Sequence, residues 1–185
     1  MRLTHLKIEN FRSIKQLDIE LGDTTVFIGP NNAGKTAVLD AIRIALTRRW
    51  GQRGTGFTEY DVHLATETDD PKASSGVVIE VRTEEAEAGE WPDSLQQDLD
   101  DIVQTDPATG RSFITLQSSC RWDAAEGCFQ PSWVFLNAAR APLAGHSARR
   151  TNLERFWQYL PVFYLVHFVM LTTSFRHARS SGAAC

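Results

Sequence analysis

Polar and apolar residues alternate from the first residues of the chain. In "RLTHLKIENF" (2–11), Leu6 and Ile8 fall on one side and Lys7 and Glu9 on the other, which predicts a half-buried strand. "IKQLDIEL" (14–21) repeats that pattern, and the apolar run "TTVFIG" (24–29) predicts a buried strand. The period then lengthens. Val38, Leu39, Ile42, Ala45 and Leu46 recur at helical spacing, with Arg48 and Arg49 in the last turn, where cations suit the carbonyl end of the helix. Residues 51–75 are polar and rich in Gly, Thr and Asp, and read as a long surface excursion.

Alternation returns in "GVVIEVRTE" (76–84), with Val77, Ile79 and Val81 on one face. "DSLQQDLDDIV" (93–103) predicts an amphipathic helix with Leu95, Leu99, Ile102 and Val103 as its stripe and Asp93 as its cap, paired with Gln96. "RSFITLQSSCRW" (111–122) and "CFQPSWVFLNA" (128–138) predict a strand pair joined by "DAAEG". "TNLERFWQYL" (151–160) predicts a helix opened by a capping box from Thr151 to Glu154, and "PVFYL" (161–165) a short buried strand. No internal repeat is visible.

Composition narrows the class. A chain of 185 residues, 42% hydrophobic and 23% charged, suits one globular domain, or one domain with an appendage. A net charge of −4 argues against an all-over basic surface, and the local clusters Arg48, Arg49, Arg53 and Arg140, Arg149, Arg150, Arg155 read as solvated faces. Cys120, Cys128 and Cys185 are odd in number, without metal-knuckle spacing, and read as reduced thiols in the cytoplasm, the first two flanking a turn. The opening residues lack the apolar core of a secretory signal, and the run 160–171 is too short to span a membrane.

The sharpest chemistry lies in Gly29-Pro30-Asn31-Asn32-Ala33-Gly34-Lys35-Thr36, which satisfies G-x-x-x-x-G-K-[ST] in full. Gly29 and Gly34 let the backbone wrap closely around a phosphate chain. Amide N–H groups of Asn31, Asn32, Ala33 and Gly34, together with the helix N-terminus, would point at the anion. Lys35 would set a cation against the β- and γ-phosphates, and the Thr36 hydroxyl would hold Mg²⁺. The expected ligands are therefore a nucleoside triphosphate and Mg²⁺. A guanine-reading N-K-x-D string is missing from the sequence, and two strands precede the loop, unlike the usual small nucleotide kinase.

Taken together, "LKIENFRSI", "FIGPNNAGKT" and "VLDAIRIAL" resemble the N-terminus of the RecF/SMC branch of ABC-type ATPases. "GPNNAGKT", "EYDVHL" (59–64) and "LPVFYL" (160–165) resemble the OLD (overcoming lysogenization defect) family of ATP-dependent endonucleases within it. The resemblance runs from Met1 to about Val166. It implies phosphate and Mg²⁺ binding by Asn31, Gly34, Lys35 and Thr36, with Arg12 reaching the nucleotide from the preceding loop. For Asp61 and His63 two roles stand open, metal linkage and hydrogen-bonded packing, the second preferred. The fold it implies is an α/β P-loop NTPase lobe of ABC/SMC type, a mixed sheet with inserted antiparallel strands, incomplete within residues 1–165.

Hydrolysis requires more. A Walker B strand would carry an acid after four apolar residues. "VVIEV" offers Glu80, which by alternation sits with Arg82 on a solvated sheet surface, and "VFLNA" ends in the uncharged Asn137. An ABC-type "SGG" signature is absent from the sequence, and no residue is assigned a catalytic role. In the resembled family a nuclease module follows further along the chain. The run 166–185 departs from the family's continuation. Codons can be chosen for it whose neighbouring frame encodes a family-like sequence, so a frameshift near Val166 is expected. Three functions follow: the ATP-binding lobe of an OLD-like endonuclease acting on DNA, with ATP sandwiched between two copies; a RecF/SMC-like repair ATPase; or a nucleotide-binding module without turnover. Self-association through unpaired strands is a further expectation.

Overall fold

The computed structural model describes residues 1–47, 57–66, 68–145 and 150–160. The arginine pair at 48–49, the 161–165 strand and the 166–185 tail lie outside the described residues.

Six strands form one sheet: β1 (Arg2–Phe11), β2 (Ile14–Glu20), β3 (Val77–Glu84), β4 (Gln104–Thr105), β5 (Ser112–Asp123) and β6 (Cys128–Leu136). The order is β2-β1-β3-β5, with β4 and β6 both pairing with β5. Every one of these pairings is antiparallel. The strands expected as an insertion are thus continuous with the first two, because β1 pairs with β3 along most of its length.

Period-2 patterning explains the two faces. Register sets Ile19, Leu6, Val81, Leu116 and Phe135 in one row across five strands, and the next residue along gives Asp18, Lys7, Glu80, Gln117 and Val134. The first row belongs to the core and the second faces away from it. Burying an aliphatic side chain such as Leu6 or Leu116 contributes about 1.5–3 kcal/mol, against about 1 kcal/mol net for a hydrogen bond. The apolar rows therefore fix the register.

Two helices, α1 (Lys35–Thr47) and α3 (Arg150–Tyr159), add their apolar sides to that core. α1 packs on β1, β3 and β5 through Ala37, Val38, Ala41, Ile44 and Ala45. Phe156 of α3 meets Phe135 edge-on at 5.7 Å. The β5–β6 hairpin forms as its turn residues predict, closing at Asp123 and Cys128 with Cys120 buried and Cys128 exposed.

Several local expectations change. The segment 24–29 is not a strand: Val26 is 71% and Ile28 92% exposed, since no described strand lies beside it. The helix α2 (Asp93–Asp98) is shorter than its stripe, although Leu95, Leu99 and Ile102 are buried. Asp93 does not cap it. Pro92 holds that place, and Gln96 instead donates to the Trp91 carbonyl at 3.1 Å. Thr151 lies inside α3, so the expected capping box is not the helix start. Arg140 and Arg155 are exposed, as a solvated face requires. Arg140 pairs with Asp18 and Glu80, whereas Arg155 donates to the Asp98 carbonyl.

Candidate functional site

The two-residue turn between β1 and β2, Arg12–Ser13, stands against the loop that enters α1. Gly34 has φ of +83°, and a Cβ there would lie 3.0 Å from the Ser13 hydroxyl oxygen, so this position favours glycine for conformation and for space. Gly29 differs: its φ is not in the left-handed region, and an added Cβ would only crowd the Ala33 Cβ at 3.3 Å. Asn32 also takes a positive φ, +69°, which asparagine tolerates better than most residues. The Ala33 N–H donates to the Pro30 carbonyl, and the Val38 N–H to that of Gly34, where α1 begins.

Arg12, Asn31, Asn32, Ala33, Gly34, Lys35 and Thr36 line one open cavity of about 690 Å³, joined by Ser13 and Ala37. All seven residues singled out from sequence thus come together, in a space of ligand size. Lys35 begins α1, so the unpaired amides of the helix's first turn lie at this cavity. The Lys35 ammonium donates to the carbonyls of Gly29 at 2.7 Å and Pro30 at 2.6 Å, folding back over its own loop. Thr36 is exposed.

Arg12 is held on two sides. Its Nε donates to Asp61 Oδ1 at 2.7 Å, and its Nη1 to Asp40 Oδ2 on α1. Burial works to lower the guanidinium pKa, but the hydrogen bonds and charges of Asp61 and Asp40 outweigh it, and the pKa is raised above the usual arginine value. The Arg12 backbone has φ of +50° and is pinned as well: its N–H donates to the Asp61 carbonyl at 2.8 Å, and its carbonyl lies 2.6 Å from His63 Nδ1. The string "EYDVHL" is therefore a brace for the β1–β2 turn. Asp61 and His63 are thus both engaged in hydrogen bonds to the turn.

The role of Asp40 was not singled out from sequence, although a signal existed. Asp40 falls between Ala37 and Ala41 in the buried stripe of α1, and a buried carboxylate there needs a partner. Glu80 needs correction in the other direction. It is only 4% exposed, not solvated, accepts from Gln117 Nε2 at 3.0 Å, and stands 4.0 Å from Lys7 Nζ and 3.8 Å from Arg140 Nε. It lines a separate concavity on the polar face, apart from the Lys35 cavity. Asn137 is structural, since its Oδ1 accepts from the amides of Ala139 and Ala141 after β6.

The relatives that align with short parts of the chain include these three. The OLD nuclease of Thermus scotoductus is 44% identical over 48 residues, 26% of this chain and 9% of the relative. The DNA replication and repair protein RecF of Lactobacillus acidophilus is 48% identical over 50 residues, 26% of this chain and 13% of that protein. The DNA double-strand break repair Rad50 ATPase of Methanopyrus kandleri is 48% identical over 66 residues, 35% of this chain and 7% of its length. The alignments thus span about a tenth of these relatives. A solved chain from work on ATP-driven dimerization and DNA stimulated activation of SMC ATPases superposes with a TM-score of 0.48 at 14% identity, covering 84% of this chain and 80% of the other. The model of the AAA ATPase domain matches residues 1–100, more than half of the 185, and the chain belongs to that family.

Proposed function

We propose that this chain is the ATP-binding lobe of a DNA-acting ATPase, with the loop 29–36 as its triphosphate cradle. The observation that carries the reading is the convergence of Arg12, Lys35 and Thr36 on one cavity around a loop whose position 34 favours glycine by its φ of +83° and by its closeness to Ser13. The cradle suits the group: amides of the first turn of α1 converge there with two cations, and a polyanion needs both. Asn31, Asn32 and Gly34 would hold phosphate oxygens through the backbone, and Ala33 would do so once its N–H leaves the Pro30 carbonyl. Lys35 would exchange its two loop carbonyls for phosphate, and the Thr36 hydroxyl would ligate Mg²⁺. The triphosphate, when bound, supplies an energy-rich anhydride for phosphoryl transfer.

The finer reading is an OLD-like ATP-dependent endonuclease, supported by the OLD nuclease among the relatives and by the bracing role of "EYDVHL". A RecF/SMC-like repair ATPase has equal support from the RecF and Rad50 relatives. In either case we place the ATPase lobe at residues 1–165 and a distinct tail at 166–185, with DNA and a second copy of the chain as partners, in the cytoplasm. Among the described residues no helix is long and apolar enough to cross a membrane.

Titration of the chain with Mg·ATP tests the proposal. Saturable binding is expected, weakened at least about tenfold by Lys35→Ala, as suits loss of a charge-assisted phosphate contact. A folded sample without affinity at millimolar Mg·ATP would overturn it. Hydrolysis abolished by Lys35→Ala would exclude the binding-only alternative.

A further inference from the structure

Arg12 carries two carboxylates on one guanidinium, and they are not equivalent. Asp61 is tied in at every point. Its Oδ1 takes the Arg12 Nε, its Oδ2 accepts from the Thr58 N–H at 2.8 Å and hydroxyl at 3.0 Å, and its own carbonyl accepts the Arg12 N–H. Asp40 takes the Nη1 arm, and a second cation is near it: Arg43 Nε lies 3.4 Å from Asp40 Oδ1, one turn along α1. The guanidinium lies 5.0 Å over the Phe11 ring, a further restraint on its inner end. Arg12, Arg43 and the two acids balance in charge, beside the cavity assigned to a triphosphate.

We propose that Asp61 and Asp40 act on Arg12 in opposite senses: Asp61 is a positioning residue that keeps the guanidinium aimed at the phosphate cavity, and Asp40 competes with the bound triphosphate for its Nη1. This rests on the nucleotide reading above. Anchoring at Nε leaves Arg12 able to exchange its outer donor without losing its place, because a guanidinium presents its donors in a rigid fork. Arg43 compensates Asp40 once that donor leaves. The exchange ties occupancy of the cavity to an ion pair on α1, the helix that packs on β1, β3 and β5.

The test is a set of dissociation constants for Mg·ATP, measured on the 185-residue chain by displacement of a fluorescent triphosphate analogue. Asp40→Asn removes the competing charge and keeps its shape, and should tighten binding about threefold to tenfold. Asp61→Asn should weaken it about tenfold, because the head of Arg12 loses its charged anchor. Both effects should vanish in an Arg12→Gln background, which a merely structural role for either acid would not produce. Thermal melts followed by circular dichroism establish that each variant folds. If Asp61→Asn does not fold, Asp40→Asn decides alone, and absence of tightening overturns the proposal. Weakening by both acids alike, or effects that persist without Arg12, also overturn it. Wild-type binding that is lost in Lys35→Ala, with no opposition of sign between the two acids, sinks this inference and leaves the nucleotide site standing. No binding by the wild type removes both.

Discussion

The Ser112 N–H donates to Glu85 Oε2 at 2.6 Å, joining the residue after β3 to the first residue of β5 through a carboxylate with no exposed surface. The same carboxylate accepts from the amides of Trp91 at 2.8 Å and Gly89 at 3.3 Å, so one side chain satisfies three backbone donors at the end of the sheet. Burial by itself would raise the Glu85 pKa, but these hydrogen bonds to the charged form outweigh it and lower the pKa below the usual glutamate value. A lowered folded-state pKa contributes stability that is fully present above the unfolded-state value and is lost as pH falls through the folded one. Glu85→Gln should therefore be destabilised at neutral pH, with the gap to wild type closing below about pH 4.3. Urea denaturation at pH 7 and pH 3.5 measures this, and equal gaps at both would contradict it. Glu85→Ala strands buried donors and should cost about 2–4 kcal/mol at pH 7.

Trp157 links α3 to α1. Its indole N–H donates to the Ala45 carbonyl at 3.0 Å, and its ring meets Trp133 edge-on at 6.4 Å. Trp157→Phe keeps much of the apolar area and removes the donor. The expected loss is about 1–2 kcal/mol in a denaturant titration. No loss would mean that α3 does not depend on this bond for its seat.

Glycines with the same backbone sign should respond differently to substitution. Gly76, Gly89 and Gly127 all have positive φ, but a Cβ at Gly76 would come within 2.5 Å of the Cys120 carbonyl oxygen, where β3 pairs with β5, and at the other two nothing lies within 4 Å. Gly89→Ala and Gly127→Ala carry only the left-handed penalty, about 1–2 kcal/mol. Gly76→Ala adds a collision with backbone and should cost about 3 kcal/mol or more. Melting temperatures of the three variants give the order directly.

Val26 and Ile28 are exposed apolar residues with no described strand beside them. Exposed β-branched residues of this kind promote association between chains. Size-exclusion chromatography should show self-association that grows with concentration and falls when Ile28→Lys places a charge there. A monomer at all concentrations would refute the expectation.

What the sequence determined alone was local. Alternation specified which sides of β1, β3 and β5 are apolar, and hence the row Leu6, Val81 and Leu116. "DAAEG" marked the hairpin, and the spacing of Gly29, Gly34, Lys35 and Thr36 marked the cavity, because turn chemistry and phosphate-loop geometry involve residues close along the chain. Partnerships across distance were decided only by the tertiary structure. Arg12 meets Asp40 and Asp61, 28 and 49 residues away, and Glu80 is buried because Lys7, Gln117 and Arg140 gather over it. Residues 24–29 show the same limit. Their pattern is that of a buried strand, but burial requires neighbours on either side, which a segment's own residues cannot specify.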